Sequence, residues 1–218
     1  MSEPGRGRAA LLDAAAVLMD ERGIDNVSLN QINRASGHRN RSAVSYHFGS
    51  RDAVVRELLT RTMESINAER NALLDHLETT GAPLTERTVM EVAVGPFTRQ
   101  LRTEEGRRYL RLCAQLLNHP RFIADPQEII SANSSVQRCA SHLAPALAHL
   151  SPEVAAERAS QMTGFIVRAC ADQARLLDTD PPPRTALGIE AFTANLVDVL
   201  LAILQAPTTL NADGRPTE

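Results

Sequence analysis

Residues 28–51 read SLNQINRASGHRNRSAVSYHFGSR, and the rest of the chain is organised around them. The stretch holds Arg34, Arg39, Arg41 and Arg51 and not one acidic residue. Ser28 is a good helix N-cap, with Gln31 three residues on as its capping-box partner. Leu29, Ile32 and Ala35 then fall on one face, and Gly37 breaks the helix. Asn40 can cap a second short helix over Arg41–Phe48. Val44 and Phe48, four apart, face inward in that helix, which leaves Arg41, Ser42, Ser45 and Tyr46 outside. Gly49-Ser50 is the next punctuation.

Outward from this stretch the charge changes sign. Residues 1–51 carry seven Arg against five acids, a balance of +2, and residues 52–218 carry sixteen against twenty-one, a balance of −5. A polyanion would therefore meet the N-terminal part, while like charge keeps the remainder away from it. All 23 basic residues are arginine, which a high-GC coding bias explains most simply, although the guanidinium fork also suits phosphate and guanine. Alanine and leucine dominate and β-branched runs are scarce, which predicts an all-α fold. At 218 residues the chain holds one large domain or a small domain plus a larger one. Cys113, Cys139 and Cys170 are odd in number with no CxxC, the usage expected of reduced, mostly buried thiols. No apolar signal core opens the sequence, and the longest apolar run, near Leu196–Leu204, is interrupted by Asp198. A cytoplasmic protein without a membrane span is expected.

The periodicity predicts nine helices, three before Ser50 and about six after. The first runs Arg6–Arg22 and ends at Gly23. After the pair described above, a long helix covers Asp52 to about Thr79 and stops at Gly81-Ala82-Pro83. Leu84 to about Arg102 follows, with a disturbance expected at Gly95-Pro96. Glu104–Asn118 is closed by His119-Pro120, and Asp125-Pro126 opens a helix to about Leu150 that Pro145 divides. Ser151-Pro152 caps a helix to about Leu177. DTDPPPR (178–184) is a loop, Thr185–Ala206 the last helix, and 207–218 a polar, disordered tail.

A short capped helix, a glycine-containing turn and a second helix with an apolar back and a polar front make a helix-turn-helix, whose second helix enters the major groove of duplex DNA. Arg41 and Ser45, one turn apart on the outer face, are the first candidates for reading base edges, with Arg39, Asn40 and Ser42 beside them. Tyr46 is read as a phosphate contact, the alternative being a rim residue packed on the first helix. His47 contacts phosphate or caps its helix, and Ser28 contacts phosphate or only caps.

Ser28-Leu29 with Ile32, then Ala35-Ser36-Gly37, Tyr46-His47-Phe48 and Gly49-Ser50-Arg51, resembles the DNA-binding domain of the tetracycline-repressor (TetR) family. The resemblance is clearest over residues 6–58. Two departures stand out: the turn His38-Arg39-Asn40 is about one residue longer than the commonest family form, and Asn33 replaces a more usual alanine. The resemblance implies a phosphate contact at Arg51, against the alternative of a solvated surface charge. It also implies a helix-turn-helix domain over 1–50 and an effector-binding and dimerisation domain over 51–206, with a homodimer through the last two helices. The function so implied is a transcriptional regulator, a repressor on a palindromic operator, released by a small molecule.

In the second domain Met90, Phe97, Leu101, Tyr109, Leu112, Cys113, Leu116, Phe122, Met162 and Phe165 are candidates for an effector pocket, or equally for an ordinary helical core. Phe165, Arg168, Asp172, Leu176 and the stripe Phe192, Leu196, Val199, Ile203 are candidates for the dimer face, with Arg168 and Asp172 spaced to pair. No catalytic constellation, phosphate loop or metal-ligand set is visible. His142 and His149 share a helix face without a third ligand, so neither enzyme activity nor a cofactor is expected. The rival readings are a helical enzyme with a helix-turn-helix-like N-terminus and a protein-interaction module.

Overall fold

The computed structural model describes residues 3–37, 43–117, 119, 134–181 and 187–209. Among them are nine α-helices and no strand, as the composition predicts. They are α1 (Glu3–Arg22), α2 (Leu29–Ala35), α3 (Ala43–Phe48), α4 (Arg51–Thr80), α5 (Glu86–Thr98), α6 (Glu104–Leu116), α7 (Ser134–Leu147), α8 (Pro152–Leu177) and α9 (Ile189–Gln205). Short 3₁₀ turns cover Ile24–Asn26 and Arg99–Arg102. Several expectations fall outside the described residues: the Asn40 cap, Arg39, Arg41, Ser42, Phe122, Pro120, the Asp125-Pro126 start, the Thr185 start and positions 210–218 of the tail.

Local chemistry sets most boundaries. Gly23, at φ 85°, ends α1 with its N–H on the Met19 carbonyl at 3.0 Å. Ser50 caps α4 through the Ala53 N–H at 3.1 Å, and left-handed Gly81 closes it. Thr85, Thr103 and Ser151 each accept from the third residue of the helix that follows. Two expectations need correction. Helix α5 runs through Gly95-Pro96 unbroken and tightens to 3₁₀ only from Arg99. A proline removes one donor, and Pro96 is buried here, as are Val94, Phe97 and Thr98 of the same helix. Helix α7 likewise continues through Pro145 to Leu147.

Three apolar clusters hold the helices together. The first joins Leu11, Ala15 and Met19 of α1, Ile32 of α2, Val44 of α3 and Val54 and Val55 of α4, with Phe48 packed against it. Leu112 and Leu116 of α6 complete this cluster. The second gathers Ile66, Met90, Val94, Phe97, Leu101, Tyr109, Leu110, Met162, Cys170 and the buried stripe Leu196, Val197, Leu200 and Leu204 of α9. The third, at the far end of α4, contains Leu74, Val89, Val92 and Cys139.

The stripe read along α9 divides between the core of its own subunit and a partly exposed face. Leu196 is buried in its own subunit, while Phe192, Val199 and Ile203 are half-buried. Asp172 pairs with Arg175, at 2.5 Å, instead of with Arg168. Among the described residues no helix is long and apolar enough to cross a membrane.

Candidate nucleic-acid interface and effector region

Helix α2 is pinned at its start by the anticipated capping box. The Gln31 N–H donates to Ser28 Oγ at 3.3 Å, and the Ser28 N–H donates to Gln31 Oε1 at 2.7 Å. The Ser28 hydroxyl also donates to Gln31 Oε1, at 2.8 Å, so its donor is already used when it caps. Helix α3 is seated by Val44, which is fully buried, and by Phe48, whose ring lies 5.0 Å under the Arg8 guanidinium. Arg8 is held in turn by Glu57 at 2.5 Å. The opposite face carries Ser45, which is exposed, and Tyr46, which is 84% exposed and makes an edge contact with the His47 ring at 5.2 Å. A tyrosine presented to solvent beside a serine offers hydrogen-bonding groups outward from a rigid base.

Asn33 is the residue whose role here was missed. It is 4% exposed, and its Oδ1 accepts the Val44 N–H at 3.1 Å. It thus satisfies an N–H of the first described turn of α3, one of the donors a helix start leaves over. The available signal was its spacing: Asn33 lies four after Leu29, on the face that Ile32 turns inward.

Arg51 is engaged as well. It donates from Nη1 to the Asp25 carbonyl at 2.7 Å and from Nη2 to Asp25 Oδ1 at 2.9 Å. The other carboxylate oxygen of Asp25 meets His119 Nε2 at 2.8 Å.

Sequence reasoning did not find the ties between α6 and the N-terminal helices. Arg111 reaches Asp20 at the end of α1, with contacts of 2.5–3.2 Å, and also reaches Asp178 just past α8. Arg107 holds the same Asp178 at 2.5 Å. The Asp20 hydrogen bond, foremost, raises the Arg111 guanidinium pKa against the cost of its burial. Burial by itself would raise the Asp178 carboxyl, but the bonds from Arg107 and Arg111 outweigh it and hold it below the usual range. The backbone N–H of Ile24 donates to Gln115 Oε1 at 3.2 Å.

The residues expected at an effector pocket divide. Met90, Phe97, Leu101, Tyr109 and Met162 share the second cluster, with Cys113 packed against it. Leu112 and Leu116 turn the other way, into the cluster of α1–α3. Phe165 is 42% exposed. A cavity of about 10 Å³ lies where the two clusters meet, lined by Met19, Ile24, Val55, Tyr109, Leu112 and Leu116 among others. An open polar groove of about 200 Å³ runs between α4 and the start of α6, past Arg61, Ser65, Gln100 and Glu105.

All three cysteines are free. Burial pushes the Cys113 and Cys170 thiols up to about 12 and raises Cys139 too, so they stay protonated and unreactive at neutral pH. Among the described residues no three His, Cys, Asp or Glu side chains converge as metal ligands.

Comparison with known proteins agrees with this architecture. Residues 11–58 match the family described as bacterial regulatory proteins, tetR family. Residues 91–202, half the chain, match the tetracyclin repressor-like C-terminal domain. No curated protein matches the chain. Among solved structures it is similar to NalD, the secondary repressor of the MexAB-OprM multidrug efflux pump in Pseudomonas aeruginosa. That match has a TM-score of 0.61 and 21% identity, over 92% of this chain and 96% of that one. It is similar also to a probable transcriptional regulatory protein, RHA5900, with a TM-score of 0.53 and 16% identity over 92% of this chain and all of the other. The superantigen PfiT shares the fold as well, with a TM-score of 0.52 and 17% identity over 94% of this chain and 100% of that one. A capped helix-turn-helix fused to a second helical domain, each part matching its own family description, leads to one conclusion: the chain belongs to the TetR family of DNA-binding transcriptional regulators and is not an enzyme.

Proposed function

We propose that the protein is a repressor that binds a palindromic operator as a homodimer and leaves it when a small molecule occupies the C-terminal helices. The observation that carries this reading is α3. Its Val44 and Phe48 are fixed in the core while Ser45 and Tyr46 face solvent. In this reading residues 1–50 form the DNA-binding unit, 51–206 the effector and dimer unit, and 207–218 a tail outside both.

Arg41 and Ser45 read bases, with Arg39, Asn40 and Ser42 alongside. Tyr46 and His47 contact phosphate, and Ser28 does so only by giving up the bond its hydroxyl donates to Gln31 Oε1. Arg51 reaches phosphate only by loosening its hold on Asp25. The dimer forms through α8 and α9, a reading supported by the outward Phe165 and Leu176 on α8. Two α3 helices then enter successive major grooves about 34–36 Å apart, or a small multiple of that spacing. Release requires the effector to bind the two dimer conformations with different affinity, not merely tightly.

The test is selection of binding sites from random duplex DNA with the purified protein. An enriched inverted repeat, with affinity falling steeply as salt rises, is the expected result. Failure to enrich any inverted repeat overturns the reading.

A further inference from the structure

We propose that the C-terminal helices contain a site for an amphipathic organic monoanion, one carboxylate on an apolar body, bound between Nη1 of Arg70 and the hydroxyl of Tyr109. The proposal deepens the effector reading above and rests on it for the meaning of the site, though not for its existence.

Arg70 lies on the inward face of α4, four residues after Ile66 and four before Leu74, both fully buried. It is itself only 7% exposed. Its Nε donates to the Ala93 carbonyl of α5 at 2.8 Å, but Nη1 is buried with no hydrogen-bond partner. Tyr109 of α6 is 5% exposed, and its hydroxyl likewise has none. The nearest help is the Cys113 thiol one turn along α6, a weak partner. Tyr109 and Cys139 of α7 are both close enough to act electrostatically on Arg70, so helices α4 to α7 all border this point. The adjacent carboxylate, Glu69, also acts on Arg70 but is paired with Arg99.

An ionised group buried without a counter-charge is costly, as is each buried donor left unmade. Burial lowers the Arg70 pKa, yet from an ordinary value far above neutrality a guanidinium remains charged. Burial raises the Tyr109 phenol, which therefore stays a neutral O–H donor. The site thus offers one fixed positive charge, an unfilled guanidinium donor and a hydroxyl whose only partner is the weak Cys113 thiol.

Its complement is an acceptor carrying one negative charge, which a carboxylate supplies while accepting from both groups. A dianion would leave net charge in the core, and a cation would add to it. The surroundings set the rest of the ligand. Met90, Phe97 and Met162 are buried beside Tyr109, and the two thioethers are side chains that adapt to an irregular apolar guest.

The test uses the full-length protein with straight-chain carboxylates from butyrate to decanoate and 4-phenylbutyrate, each beside its amide and its amine. Thermal unfolding and titration calorimetry are the readouts. The acids are expected to raise Tm and bind, and the amides and amines are not. Arg70→Met removes the charge at similar length. It should raise Tm of the ligand-free protein and abolish the preference for acid over amide. Tyr109→Phe removes one oxygen and should weaken the acids about tenfold or more, which keeps the test decisive if Arg70→Met does not fold.

Equal binding of amide or amine, an acid preference surviving in Arg70→Met, or no acid-selective shift across the series would each overturn the site. DNA affinity, measured by fluorescence anisotropy on selected sites, separates the two readings. Arg70-dependent acid binding that leaves DNA affinity unchanged supports the site and removes the effector role. Release of DNA by a neutral or cationic compound bound in place of the acids overturns the site and leaves the effector reading standing.

Discussion

Replacing Asn33 by alanine tests whether the recognition helix is held by one buried amide. Asn33 is nearly inaccessible, and its Oδ1 accepts the Val44 N–H at 3.1 Å. Val44 is fully buried, so water cannot take over that N–H when the amide is removed. The cost is then the lost hydrogen bond plus the desolvation of an orphaned donor, about 1–3 kcal/mol. Loss of a helix-start partner alone would cost about 1 kcal/mol, so the upper half of the range requires that Val44 stay buried. Alanine is the better helix former, which offsets a few tenths of that within α2. Urea denaturation gives the global number, and hydrogen exchange at residues 44–48 gives the local one. A local loss of 1–3 kcal/mol appears as a roughly 5- to 150-fold fall in protection. DNA affinity should fall with it, because binding then has to order α3 as well. Unchanged stability within about 0.5 kcal/mol, together with unchanged protection at Val44, would refute the reasoning.

Arg41→Ala should weaken operator binding and relax base preference at one position per half-site; an unchanged selection logo contradicts it. Tyr46→Phe should weaken binding uniformly across sequences, since phosphate contacts carry little sequence information, and loss of preference at a single base would count against it. Gly106→Ala places a Cβ 2.1 Å from the Gln100 carbonyl oxygen, so α6 must shift away from the preceding turn. A loss of about 1–3 kcal/mol or more in urea is expected, and a neutral variant would refute the close approach. Asp178 has a depressed carboxyl pKa, so its stabilisation is full above the unfolded value of about 3.9 and is lost as pH falls through the folded one. Asp178→Asn should therefore lower Tm at pH 7 (about neutral) and converge on the parent protein in acid below the folded pKa; a gap that persists there would argue against the ion pairs.

What could be read from the sequence was what depends on near neighbours. The Ser28–Gln31 capping box, the left-handed Gly81 stop and the Ser151-Pro152 start each involve residues within a turn of one another, and each is found as read. Composition and periodicity also sufficed for the nine helices among the described residues and for Val44 as core. What failed was choice among partners. Tyr109, Leu110, Leu112 and Leu116 are all buried, so a stripe through them does not say which cluster each one enters. The Asp20–Arg111–Asp178 ties join residues 91 and 67 apart in the chain, beyond any local pattern. Pro96 misled for another reason: one missing donor in a 13-residue helix does not break it when the proline ring itself is buried.

Helix α6 belongs to two cores at once. Leu112 and Leu116 pack with α1–α3, and Tyr109 and Leu110 with α5, α8 and α9. Close-packed interiors do not absorb small displacements, so α6 cannot slide or turn without repacking both. The polar contacts tighten this constraint: Arg111 links the end of α1 to the end of α8, and Gln115 holds the Ile24 N–H. Past α6, His119 and Arg51 share the two oxygens of Asp25, and Arg51 opens α4 directly after the recognition helix. A hundredfold change in DNA affinity needs only about 2.7 kcal/mol of difference between two arrangements of these groups, comparable to two hydrogen bonds to charged partners. In the proposed reading Arg51 reaches phosphate only by loosening the Asp25 carboxylate that His119 also contacts, so a rearrangement beyond α6 that alters the His119 contact alters the cost of that step.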